Sequence, residues 1–409
     1  MKNFLTWKMI TSITLRTISA TGSILFAFVV VNMFGHEQFG LITTVISAAV
    51  FASMVLRYGG DKLCIRHYLE SNFRGASELV YGQLVVSTVV CFLSILLFLV
   101  LPENFNIIFV YAIPLAFLLV VANNLTSLSV GIGDTHYASV TQIGFLQFVV
   151  AVVIYPLSRS LNIDTDVILF IITIALVTLV CVSIGLQLKN VRKAVSSFER
   201  SNIQPSVSTE RLHIFIASIG GTFQTTTVFV LLSMIITPEE LGEFRYLERI
   251  AAVISLVTIF QNIILPKYMF PDGSAVINRA TIFRINRALL ISGILIATIL
   301  FSGILLILIA IKFTSLDLEF SRYLILLGLA HLVISLVSVI NVVFLFARQE
   351  KTLMKMNIFV VFLSLILYPL VYQHYSMDGI YGVFAFVALL KSSLLLMSYV
   401  GIAHTIVKE

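Results

Sequence analysis

The sequence predicts an all-α, polytopic membrane protein of about twelve transmembrane helices, arranged as two six-helix bundles in a parallel repeat. Three observations carry the helix count: an apolar composition, twelve long apolar segments, and a lopsided placement of basic residues around them. The arrangement in two sets of six comes from an echo between the halves and a resemblance, both given below. Of 409 residues, 59% are hydrophobic and only 11% charged, and the mean hydropathy is +1.05. Soluble domains carry roughly 25% charged residues. A surface with so few charges must face lipid over most of its area.

A spanning helix needs about 20 mainly apolar residues. Spans 1 to 12 fall at 10–33, 39–57, 79–101, 106–130, 137–158, 166–188, 210–236, 241–265, 286–312, 321–347, 352–373 and 379–405. The longest connections, 189–209 and 266–285, are too short to hold a domain. Sheet is excluded, because an open edge goes unsatisfied in hydrocarbon and barrel strands would alternate apolar with polar residues. Lys2 and Lys8 precede an apolar stretch reaching Asn32. That is a full span rather than a short secretory core, so the first helix is expected to be retained.

Basic residues set the orientation. With the N-terminus inside, 19 of the 26 lysines and arginines fall on cytoplasmic ends and loops, and three, Arg159, Lys312 and Arg322, fall opposite. This split predicts that both termini are cytoplasmic. It also accounts for the pI of about 9.2 without nucleic acid as a partner. Cys64, Cys91 and Cys181 are odd in number and lack metal-site spacing, so neither a disulfide framework nor a zinc site is indicated. No cofactor motif is present; Gly131-x-Gly133 lacks the rest of any nucleotide loop.

The halves echo each other. Gly35-His36-Glu37-Gln38-Phe39-Gly40 follows span 1, and Thr237-Pro238-Glu239-Glu240-Leu241-Gly242 follows span 7, with Gly40 and Gly242 202 positions apart. Ile154-Tyr155-Pro156-Leu157 in span 5 returns as Leu367-Tyr368-Pro369-Leu370 in span 11. Both echoes predict a duplication whose halves run in the same direction: an N-terminal lobe 1–188, a cytoplasmic linker 189–209 and a C-terminal lobe 210–409.

Phe34-Gly35-His36-Glu37-Gln38-Phe39-Gly40-Leu41 resembles the turn between the first two helices of bacterial polysaccharide flippases. Leu56-Arg57-Tyr58-Gly59-Gly60-Asp61-Lys62 with Arg66-His67-Tyr68 is similar to that family's helix-2 exit, and Leu265-Pro266-Lys267 to its proline-ended helix 8. These flippases belong to the multidrug/oligosaccharidyl-lipid/polysaccharide exporter superfamily. The resemblance is sharpest over the first 70 residues and around spans 7 and 8. The lipid II flippase has two further helices, so the O-antigen-unit (Wzx type) branch fits better. The resemblance implies a V of two bundles in a bacterial inner membrane. Alternating access would carry a lipid-diphosphate-linked oligosaccharide to the outer leaflet for the polysaccharide polymerase machinery of O-antigen and lipopolysaccharide biosynthesis.

Four basic residues lie within spans: Arg16, Arg245, Arg249 and Lys391. A charge at mid-bilayer costs roughly 2.5–3.5 kcal/mol on insertion scales, so it normally faces protein or water. Arginine forks match two phosphate oxygens, which makes these four the candidate substrate-binding cations. Arg16 shares a helical face with Ser12, Ser19 and Ser23. The 202 offset maps this stripe onto Ser218, Gly221 and Thr225 of span 7, with Thr222 and Gln224 beside them. Such polar faces can line a wet cleft or pack helices through small residues. For Arg245, the plainer alternative is an intrahelical network with Glu248. Glu248 and His331 are candidates for a proton relay, and Asp61 and Arg66 for an inner gate or a headgroup anchor among membrane lipids.

Two other functions compete with the flippase. A cation-coupled multidrug antiporter on the same scaffold calls for buried carboxylates, and Glu248 is the sole acid well inside a span. A membrane sugar polymerase calls for large outer loops that gather polar groups, and the connections here are short. The sequence therefore points to a transporter rather than an enzyme.

Overall fold

The computed structural model describes residues 7–69, 73–100, 107–132, 138, 140–159, 163–192, 209–255, 279–291, 293–294, 318–346 and 349–408. Among these every regular element is helical. Residues 193–208 of the expected linker, Pro266, the stretch 256–278 and most of span 9 lie outside the described residues.

Six described helices are long and apolar enough to cross a membrane, and Ile143–Leu157 is a shorter apolar one. Two of the six are double length: Thr17–Arg57 has 41 residues and Glu350–His404 has 55. At 1.5 Å per residue each would exceed about 60 Å if straight, twice the hydrocarbon thickness. Each instead breaks where the sequence predicts a turn. The first breaks at Gly35 (φ 86, ψ 172), a left-handed conformation that costs glycine nothing. The second breaks at Ser376 (φ 50, ψ −140). The chain doubles back at both. Phe26 and Phe39 have ring centroids 6.3 Å apart, although 13 residues of straight helix would separate them by about 20 Å. Across the second break, Ser398 donates to Met356 Sδ at 3.2 Å. Spans 1 and 2, and spans 11 and 12, are therefore antiparallel hairpins.

By proximity the chain divides into two compact units, Met1–Glu243 and Phe244–Glu409. This cut lies beyond the expected linker and places span 7 with the first unit. The reason is visible within that unit, where span 7 meets the end of span 2 at several residues (below). Span 6 starts at an Asp164 N-cap, which accepts from the Val167 amide at 3.0 Å. Span 8 starts on a capping box. Glu240 accepts from the Thr237 amide at 2.9 Å, and Thr237 Oγ1 accepts from the Glu240 amide at 3.3 Å. Pro238 occupies the first helical position, where no amide is needed.

Outward faces are apolar: Phe92, Phe170 and Phe362 are exposed on spans 3, 6 and 11. The polar residues Ser53, Gln83, Ser129 and Ser364 are fully buried. This inversion of the soluble pattern fits a lipid environment.

Candidate anion-binding site

In the second unit, span 8 turns Phe244, Arg245, Leu247 and Glu248 inward. Arg245 Nη1 donates to Glu248 Oε2 at 2.8 Å, and the two side chains are 6% and 2% exposed. Arg249 Nε lies 3.9 Å from the same oxygen, with its side chain 21% exposed. From span 10, buried His331 places Nε2 3.2 Å from Glu248 Oε1. Both carboxylate oxygens thus face cationic or N–H groups, and two guanidiniums share one carboxylate. Arg245 and Arg249 against Glu248 leave this group with an excess of positive charge.

Lys391 sits on the inward face of span 12 with Tyr381, Phe384, Ala388, Leu395 and Tyr399, all buried. The Phe384 ring lies 6.0 Å from the His331 ring, and Lys391 follows Phe384 by two turns, about 10 Å along the axis. Lys391 is therefore turned into the unit, on the same helix face that meets the Glu248 cluster.

The first unit puts its candidates to different uses. Ser19 is buried, 3.5 Å from Gln142 Oε1, and a Cβ on Gly144 would stand 2.1 Å from the Ser19 carbonyl oxygen. Here the serine stripe packs span 1 on span 5. Ser23 donates to its own helix at Ala20 O, 2.9 Å. Ser218 is half-buried, and Thr222 donates to Ser218 O at 3.0 Å and to Met54 Sδ of span 2 at 3.3 Å. Just beyond, Phe223–Thr227 forms a π-helical turn, a widening that often marks functional segments. The side chains of Arg16, Gln224 and Thr225 lie outside the described residues.

Asp61 pairs with Arg57 at 2.7 Å at the exit of span 2, and Arg66 is buried on the short helix Gly60–Leu69. Burial pushes the Asp61 carboxyl upward, but Arg57 and Lys62 outweigh it and hold the group below the usual carboxylate range. Arg211, at the start of span 7, donates from Nε to Tyr58 O at 3.0 Å and from Nη2 to Arg57 O at 3.5 Å. Its guanidinium lies 5.3 Å from the Tyr58 ring centroid. Tyr58 and Gly59 both have positive φ, 44° and 71°, so the helix ends there and Arg211 caps its last carbonyls.

Several features escaped sequence reasoning: the Arg211 cap, the π-helical turn, and the Tyr323 hydroxyl donating to Asp378 Oδ1, with Tyr323 stacked on Tyr381 at 4.1 Å. Each depends on residues far apart in sequence or on backbone geometry that periodicity does not encode. Among the described residues, no group of three or more His, Cys, Asp or Glu could hold a metal ion.

No protein-family profile matches the sequence, and no curated protein is similar to it at a significant level. Solved structures are similar in fold. The MATE multidrug transporter DinF-BH superposes with a TM-score of 0.63, covering 95% of this chain and 93% of that one, at 15% identity. A Vibrio cholerae MATE transporter, VcmN, gives 0.58 over 98% and 99% at 13% identity. The eukaryotic MATE transporter AtDTX14 gives 0.59 over 96% and 93% at 14% identity. These likenesses establish the expected fold class, an all-α multi-pass membrane fold of twelve helices in two six-helix bundles.

Proposed function

We propose that this chain is a transporter that flips a lipid-diphosphate-linked oligosaccharide from the cytoplasmic to the outer leaflet of a bacterial inner membrane. Alternating access would drive the movement, with both termini cytoplasmic. One observation carries the choice of an anionic substrate. Among the described residues, the interior of the second unit holds Arg245, Arg249 and Lys391 beside the carboxylates of Glu248 and Glu350, and two of those cations, Arg245 and Arg249, gather on Glu248. Arg245 is committed to Glu248. Arg249, at longer range and partly exposed, and Lys391 are the cations best placed to meet a diphosphate, whose paired oxygens suit fork geometry. Arg16 of the first lobe is a further candidate, and membrane lipids and polymerase machinery are proposed partners.

The second reading, a cation-coupled multidrug antiporter, is favoured by the MATE multidrug transporter DinF-BH among the similar structures. The pairing of Glu248 opposes it, since cationic cargo calls for carboxylates and this one is already held by Arg245. Proteoliposomes separate the two. The flippase reading expects transbilayer movement of an undecaprenyl-diphosphate-linked sugar, and no protection of overexpressing cells against cationic drugs. Drug resistance without lipid movement would reverse the assignment. A sugar polymerase would instead leave blocked cells with the lipid-linked unit on the outer leaflet.

A further inference from the structure

The two glycines that mark the repeat, Gly40 and Gly242, touch each other's turns. A Cβ added to Gly40 would stand 1.8 Å from Pro238 O, 2.8 Å from Pro238 C and 3.1 Å from Gly242 N. A Cβ added to Gly242 would stand 1.9 Å from His36 O, 2.7 Å from His36 C and 3.1 Å from Gly40 N. The contact is reciprocal. His36 and Pro238 are themselves 202 residues apart, as are the glycines. Each repeat therefore presents its turn carbonyl to the other repeat's glycine, as a local two-fold relation requires. Every close atom is backbone, so no rotamer change could admit a side chain. Separations this far below 3.0 Å are essentially never seen for a real Cβ.

From this geometry we infer that the Gly40–Gly242 contact is a seal between the two repeats, closing the end of the transport path opposite the N-terminus. It must part whenever cargo leaves on that side. The inference rests on the transporter reading but not on the identity of the cargo. Being backbone against backbone, the seal closes without desolvating a charge or ordering a long side chain. It can therefore open and close at small energetic cost. The basic-residue split assigns this end to the outside.

The test uses Glu37→Cys with Glu239→Cys, both exposed and immediately beside His36 and Pro238, in a chain otherwise freed of its cysteines. A short thiol cross-linker, reversible by reductant, should join the two positions. In proteoliposomes the joined protein should flip an undecaprenyl-diphosphate-linked sugar at least about tenfold more slowly, recovering on reduction. Gly40→Ala or Gly242→Ala should each cut cross-linking and transport, and the double variant should fall no further, because both act on one contact. Gly82→Ala, with nothing within 4 Å, should change neither. Transport at full rate through the cross-linked protein overturns the inference. So does undiminished cross-linking in the glycine variants. Should those variants fail to assemble, the cross-linking arm still decides. Should the starting protein move no lipid diphosphate, the substrate reading falls and thiol accessibility decides the seal. A bulky maleimide should then react faster when Gly40 is Ala, and equal rates overturn it.

Discussion

Arg245 donates to Glu248 across one turn of span 8 at 2.8 Å, and neither side chain has appreciable access to solvent. Removing one partner of such a pair leaves an uncompensated buried charge, at a cost of about 3–5 kcal/mol. Glu248→Gln should therefore lower stability by that order, and Arg245→Met likewise. The double variant Arg245→Met/Glu248→Leu should lose much less than the two together. Chemical unfolding of the purified protein in detergent measures all three, and simple additivity would contradict the pairing.

Lys391 is expected to separate fold from function. Lys391→Met keeps the volume while removing a buried cation, so the folded protein should still assemble and insert, as thermal unfolding in detergent would show. Movement of lipid-diphosphate oligosaccharide should drop at least about tenfold, with Lys391→Arg retaining part of it. Equal transport by the methionine variant would remove Lys391 from the binding set.

Arg211 holds span 7 to the end of span 2. Arg211→Ala loses charge-assisted hydrogen bonds to the Tyr58 and Arg57 carbonyls, each worth about 1.5–3 kcal/mol, along with the ring contact. Arg211→Lys keeps the charge but not the fork, and should recover less than half of that loss. Protease cleavage near residue 211, followed against temperature, would register the loosening.

Asp61 supplies a pH dependence with a definite sign. Its folded carboxyl lies below the ordinary range because Arg57 and Lys62 outweigh its burial. The pair's stabilisation is therefore complete at neutral pH, above the unfolded value of about 3.9. It is lost as pH falls through the folded value, below about 4. Asp61→Asn should be less stable than the parent at pH 7, with the difference narrowing as pH falls below the unfolded value of about 3.9. A difference that does not narrow at all would mean that Asp61 acts by packing alone.

Much of the architecture was legible in the sequence because bilayer thickness fixes helix length and leaves few alternatives. The expected turns at 34–38 and 374–378 coincide with the breaks at Gly35 and Ser376. The inward placement of Arg245, Glu248 and Lys391 followed from the cost of charge in hydrocarbon. Pairing within the polar stripes was not legible. Ser19 on a helical face reads the same whether it lines water or packs on Gly144, and only the close approach of Gly144, with no room for a Cβ between them, decides. The repeat assigns span 7 to the second lobe, while Arg211 and Thr222 bind it to span 2 within the compact unit Met1–Glu243. Repeat logic orders a chain by ancestry, and contacts order it by packing.

The mutual fit of Gly40 and Gly242 bears on how duplicated halves diverge. Elsewhere one copy can drift while the other stays still, because each packs against its own surroundings. Where the copies bear on one another, an added methyl on either arm meets a carbonyl of its twin. A compensating change in the twin has nothing smaller than glycine to offer. That spot of the gene is thus bound to its own paralogue within the same chain, and it should be among the last places where the ancestral symmetry fades.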